Sequence, residues 1–137
     1  MKPESPAKEN SAARISPALP SGNFHPVSEF ELLLEWARIG SANVRKAPAC
    51  ADKHRQNLRA CAGTEQRLSD LNHWRESLAF TESEKAALNL SESISLLEPE
   101  KLSPLVLAEA RRHFSTEEIV RLALTIMAVN DWIDLQG

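Results

Sequence analysis

Cys50 and His54 stand four residues apart in the stretch RKAPACADKH, residues 45 to 54. On a helix that spacing places them one turn apart on one face. A thiol is a nucleophile only as its thiolate, and a histidine within reach can take the proton. A helix beginning near Ala47 would put Cys50 in its first turn, where unpaired N–H groups and the helix dipole favour negative charge. Arg45 and Lys46, just upstream, push the same way. Glu35, on the preceding helical segment, is placed to orient that histidine or to relay its proton. Together, a carboxylate, a histidine and a helix-start cysteine can make an activated thiol. The plainer reading is a small buried cysteine beside an unrelated surface histidine, since free cysteine is among the most buried residue types. The two readings differ in the thiol pKa they expect: depressed for the first, normal or raised for the second.

Other chemistry is thinner. Cys61 lies eleven residues after Cys50, a separation of about 16 Å along one continuous helix. A disulfide needs Cα atoms within about 7 Å, so Cys61 reads as a packed helix-end residue. Two ligands at helical spacing do not make a metal site, and His25, His73 and His113 carry no supporting motif. No Gly-rich phosphate loop or dinucleotide fingerprint occurs, so no cofactor is expected. Arg38, Arg45, Lys46 and Arg55 could bind an anionic substrate, although scattered charges usually form a solvated face.

The elements that must position these residues read as helices throughout. Phe30, Leu33, Leu34 and Ala37 recur at helical spacing, and Gly40 is expected to end or weaken that element. Pro48 suits the first position of the next helix, which runs to about Ala62 with Gly63 as its stop. Thr64 is expected to cap EQRLSDLNHW, whose Leu68, Leu71 and Trp74 form an apolar stripe. TESE (Thr81 to Glu84) and STEE (Ser115 to Glu118) are capping boxes, and Ser103 with Pro104 opens another helix. The last helix is expected to bury Ile119, Leu122, Ala123, Ile126 and Met127. Trp74 and Trp132 are expected core anchors. No stretch alternates at period two, so the predicted class is all-α: a single domain of about six helices over residues 27 to 137. Residues 1 to 26 hold five prolines and many Ser, Ala and charged residues. They are expected to be a disordered tail.

The 137 residues carry a net charge of −3, which draws the chain neither to nucleic acid nor to an anionic membrane. Apolar runs such as LALTIMAV fall far short of the ~20 residues that cross a bilayer. The N-terminus has no apolar signal core, and two cysteines make no disulfide framework. A cytoplasmic location is expected.

Several separated segments then agree, in order, with one family. LRACAGTEQRLSDLNHWRES (58 to 77), FTESEKAAL (80 to 88) and EARRHFSTEEIVRLALTIMAVNDW (109 to 132) resemble the carboxymuconolactone decarboxylase-like family, which includes the alkyl hydroperoxide reductase D-type proteins. The similarity spans roughly residues 30 to 135. The family motif is Glu, eleven residues, then Cys-x-x-Cys-x-x-x-His. Glu35 falls on its glutamate, Cys50 on its second cysteine, His54 on its histidine and Ala47 on its first cysteine. The resemblance implies that Cys50 attacks peroxide, that His54 and Glu35 relay the proton, and that the resolving thiol is missing. It also implies the D-type helical fold and a homo-oligomer, trimer or hexamer.

The expected function is therefore an alkylhydroperoxidase-like thiol oxidoreductase acting on a small peroxide with an external thiol reductant. The alternatives are a catalytically degraded member serving as a structural or binding module, and a decarboxylase-type lactone enzyme.

Overall fold

In the computed structural model, the described residues are 26, 28–96 and 102–136. They form six α-helices and no strand: α1 (Glu29–Val44), α2 (Pro48–Arg59), α3 (Glu65–Asp70), α4 (Glu82–Ser95), α5 (Pro104–His113) and α6 (Thr116–Gln136), with a 3₁₀ turn (Leu71–His73) after α3. The all-α reading holds. The expected tail lies, apart from Pro26, outside the described residues. No helix among those described is long and apolar enough to cross a membrane.

Helix α1 is the axis of the fold. Ser28 caps it by accepting the Glu31 N–H at 3.1 Å, and Glu29 and Glu31 favour the positive end of the dipole. Beyond the first turn it is buried on almost every side, at Leu33, Leu34, Glu35, Trp36, Ala37, Ile39, Ser41 and Ala42. Helices α2, α4 and α6 pack around it. Two apolar clusters result. One joins Trp36, Ile39, Cys50, Leu58, Leu71, Phe80, Leu88 and Val129; the other joins Leu33, Leu34, Ala37, Leu90, Phe114, Leu122 and Ile126. Trp74 and Trp132 lie half-buried against the first cluster, whereas Trp36 is its fully buried aromatic, edge-on to Phe80 at 5.3 Å.

Gly40 does not end α1, which continues through it to Val44. Its missing side chain lets α4 approach: a Cβ there would lie 2.9 Å from Leu88 Cδ2 and 3.1 Å from Ser91 Oγ. Ser91 Oγ donates to the Ala37 carbonyl at 2.8 Å, so its one proton is used. The 2.8 Å contact between the Ser41 and Ser91 hydroxyls is then donated by Ser41.

A three-residue corner, Arg45 to Ala47, joins α1 to α2. The Lys46 N–H bonds to Asn43 O at 3.1 Å and the Ala47 N–H to Ala42 O at 2.9 Å. Lys46 takes the left-handed conformation, φ 57°. This is a Schellman ending with lysine where glycine is usual. Ala47 serves at once as the end of that motif and as the N-cap of α2, and Pro48 occupies the first position as expected.

Three local expectations need correction. Helix α2 stops at Arg59, short of Ala62. Thr64 donates back to Leu58 O at 2.6 Å, sealing α2 where it was expected to cap α3. The buried face of α6 is Leu122, Ile126, Val129 and Asn130, with Met127 turned to solvent. Both capping boxes are present. Glu84 N–H donates to Thr81 Oγ1 at 3.1 Å and Thr81 N–H to Glu84 Oε1 at 2.8 Å. Glu118 N–H donates to Ser115 Oγ at 3.1 Å and Ser115 N–H to Glu118 Oε1 at 2.9 Å.

The close α1–α4 approach gives a direct test. Gly40→Val should destabilise the fold by roughly 2 to 3 kcal/mol through overpacking against Leu88 and Ser91. The readout is the urea midpoint at unchanged slope; a variant as stable as the native chain would show that the helices can part without cost.

Candidate functional site

Glu35 is a carboxylate in the core, 1% exposed, and such a charge persists only where partners surround it. Helix α2 supplies two of them from one face. His54 Nδ1 lies 2.6 Å from Glu35 Oε2, and Asn57 Nδ2 donates to the same oxygen at 2.8 Å. Arg38, one turn along α1, donates to Oε1 at 2.9 Å. Burial alone would raise the Glu35 pKa. The His54 hydrogen bond and charge, with Arg38 and Asn57, outweigh it and hold the carboxyl below its ordinary value.

The carboxylate fixes the imidazole. With Nδ1–H donated to Glu35, Nε2 is the ring's remaining polar atom, and it is buried without a hydrogen-bond partner, as is Asn57 Oδ1. In neutral imidazole Nε2 is then the lone-pair nitrogen, a base held in one orientation by a carboxylate. Cys50, Ala51, His54, Asn57 and Leu58 form the buried stripe of α2.

Cys50 lies one turn before His54 and is 2% exposed. Among the described residues its thiol makes no hydrogen bond. Its thiol does not carry the depressed pKa expected of a helix-start cysteine. Burial pushes it up, Lys53 partly opposes this, and the Glu35 charge adds to it. Arg45 gives no help: its guanidinium turns to Asn130 Oδ1 at 3.1 Å and Asp134 at 2.6 Å, tying the corner to α6. Cys61 sits beyond the end of α2, with its own thiol donating to Asn57 O at 3.7 Å. Burial, and then the Glu35 charge, raise its pKa too. Both thiols are free, and the intact α2 helix keeps them apart.

The sequence placed Glu35, Cys50 and His54 together, and the structure joins Glu35 to His54 directly. Asn57 was missed. The signal for it was present, since it lies three residues after His54 and seven after Cys50, on the same stripe. Of the candidate anion binders, Arg38 is committed to Glu35, Arg45 to Asp134 and Arg55 to Asp52 at 3.0 Å. Only Lys46 has no ion pair among the described residues. His73 is exposed, and His113 bonds Glu109 at 3.1 Å. No group of three or more metal-binding side chains occurs among the described residues.

The fold and site together define a class: an all-helical protein with a buried carboxylate–histidine pair one turn along a helix from a buried cysteine. The chain belongs to the same family as the uncharacterized protein YdfG of Bacillus subtilis (strain 168). The two are 33% identical over 98 residues, 72% of this chain and 67% of that protein. The fold is shared with the crystal structure of a protein of unknown function from Agrobacterium tumefaciens, described as a candidate antioxidant defence protein AhpD. That match has a TM-score of 0.73 at 23% identity, over 93% of this chain and 84% of the other. No family model matches the sequence.

The buried carboxylate predicts a pH signature. Because its folded pKa lies below the ordinary carboxylate value, Glu35 contributes stability above that ordinary value. The contribution is lost as pH falls through the folded value, where the unfolded chain binds the proton first. Glu35→Gln should therefore cost roughly 3 kcal/mol at pH 7. It should also flatten the acid limb of the stability curve. Equal acid sensitivity in the variant and the native chain would show that other groups set that limb.

Proposed function

We propose that this protein is a thiol peroxidase of the AhpD type that works with a single cysteine. The observation that carries the reading is the Glu35–His54 pair: a buried carboxylate holds Nδ1 and leaves Nε2 unpartnered, one turn from Cys50. A neutral thiol with a raised pKa needs such a base. His54 Nε2 takes the Cys50 proton, and the thiolate attacks the terminal oxygen of a hydroperoxide. The O–O bond breaks, sulfur becomes a sulfenic acid, and the leaving alkoxide recovers the proton from the imidazolium. Glu35 holds the ring in one orientation, while Arg38 and Asn57 hold Glu35. By resemblance, Ala47 replaces the motif's first cysteine, so the sulfenate waits for an external thiol. The fold shared with a candidate antioxidant protein supports the class of chemistry. A thiol-rich reducing compartment such as the cytoplasm would supply the reductant.

A second reading rests on a specific observation. Cys50 is 2% exposed and its thiol pKa is raised, as expected of an inert packing residue in a structural module.

One experiment separates the two. The purified protein is treated with peroxide at pH 7, sulfenic acid is trapped with dimedone, and each cysteine is quantified by mass spectrometry. Cys50 should be trapped well ahead of Cys61, and His54→Gln should slow it by about 100-fold, the scale of a lost general base. Oxidation of Cys50 no faster than a free model thiol would leave the structural reading standing.

A further inference from the structure

Cys50 is 2% exposed, and His54 Nε2, one turn further along α2, is buried as well. The open space at the α1–α2 corner is lined by Ala42, Lys46, Ala47 and Ala51 among others, and by neither of these two. A thiol so enclosed meets a reagent only when an element around it moves.

Five half-buried side chains pack against the apolar cluster that holds Cys50: Leu32, Ala47, Trp74, Trp132 and Ile133. The first three are firmly placed. Leu32 belongs to α1, which is buried on almost every side. Ala47 is fixed in the corner by its N–H bond to Ala42 O. Trp74 lies under the Arg75 guanidinium at 4.2 Å, and Arg75 reaches Asn89 and Glu92 on α4. Trp132 and Ile133 differ, because they lie in the final turns of α6. Asn130 is the last buried residue of that helix, and Asp131, Asp134, Leu135 and Gln136 are exposed.

Those turns have little support of their own. Asp131 and Asp134 sit towards the negative end of the α6 dipole, and the last turn carries no basic residue. Both features loosen a helix end. What holds it comes from either side of Cys50. Arg45, five residues before, donates to Asp134 at 2.6 Å. Lys53, three residues after, lies 5.8 Å from the centre of the Trp132 ring. The Asp134 side chain is 56% exposed, and ion pairs and cation–ring contacts at the surface are weak.

We propose that residues 131–136 of α6 form a gate over Cys50, latched by Arg45 on Asp134 and by Lys53 on Trp132. When both ties let go, the end of α6 frays and Trp132 and Ile133 leave the cluster. The thiol then opens to solvent while the Glu35 contacts of α2 stay intact. Helix ends are where a fold opens at least cost. The bearing of the gate on function rests on the one-cysteine reading above, since it decides when a peroxide meets the thiol.

Alkylation by iodoacetamide, an uncharged reagent, tests the gate without peroxide. The full chain is treated at one pH, and adducts at Cys50 and at the reference thiol Cys61 are followed by mass spectrometry. Asp134→Asn should speed Cys50 by about three-fold, the scale of one exposed ion pair. Arg45→Glu and Asp134→Arg should each speed it by about ten-fold, because like charges then face each other across the latch. The double variant should return near the native rate. If the charges acted on the thiol instead, Arg45→Glu would slow Cys50 and Asp134→Arg would speed it; that opposition of sign overturns the gate. Unchanged Cys50 rates in both Asp134 variants overturn it as well. Arg75→Ala, which frees Trp74, should leave Cys50 as slow as in the native chain, and an equal acceleration there would place the opening elsewhere. Dimedone trapping after peroxide reports on the chemistry alone. A gated thiol that forms no sulfenate would end the peroxidase reading and leave the gate standing.

Discussion

A carboxylate 1% exposed at the centre of a domain this small sets the terms for everything around it. Its charge is tolerable only because three side chains from two helices donate to it. Two of those donors, His54 and Asn57, lie three residues apart on α2, so both reach Glu35 only at one rotation of that helix. A turn of α2 by one residue, about 100°, would carry both away and leave the charge alone in the core. The register of α2, and with it the place of Cys50, is therefore fixed by Glu35 more firmly than by apolar packing, which is tolerant of small rotations. Arg38 comes from α1 itself and is partly exposed. It adds a permanent positive charge to the contacts that His54 and Asn57 make with the carboxylate.

The same interaction constrains the chemistry. A carboxylate near a thiol makes its deprotonation harder, and the Glu35 charge does raise the Cys50 pKa. The core thus favours the neutral thiol over the thiolate. What the core offers is an imidazole held in one orientation by the carboxylate. Glu35 thus opposes a thiolate at Cys50 while it fixes the imidazole one turn away.

Local rules were the most legible part of this sequence. Pro48 marks the start of α2, Thr81 with Glu84 and Ser115 with Glu118 mark two more helix starts, and Ser103 marks a fourth. Each depends on atoms within four residues. What sequence spacing could not supply came from tertiary contact. Gly40 sits inside α1 because α4 needs the space of its missing side chain. Met127 faces outward because the inner face of α6 is set by Leu122, Ile126 and Val129 against α1. Arg45 was expected to favour a thiolate by proximity in sequence, but its partners are Asn130 and Asp134, 85 and 89 residues away. Of the two thiol readings, the depressed Cys50 pKa failed and the raised one of a buried cysteine held, because burial outweighs the first-turn position.

The corner before Cys50 fixes the start of α2. Lys46 holds a left-handed conformation that costs a non-glycine residue about 1 kcal/mol. It is held there by two backbone bonds to the end of α1, and by Arg45 reaching to α6. Asn130, which accepts from Arg45, in turn donates to Ser95 at 3.2 Å, so α4 shares in the tie. Cys50 is thus fixed on both sides, by the corner before it and by the Glu35 contacts of His54 and Asn57 after it. Unwinding the first turn of α2 to swing the thiol outward would break the Ala47 N–H to Ala42 bond and disturb the α6 tie at once.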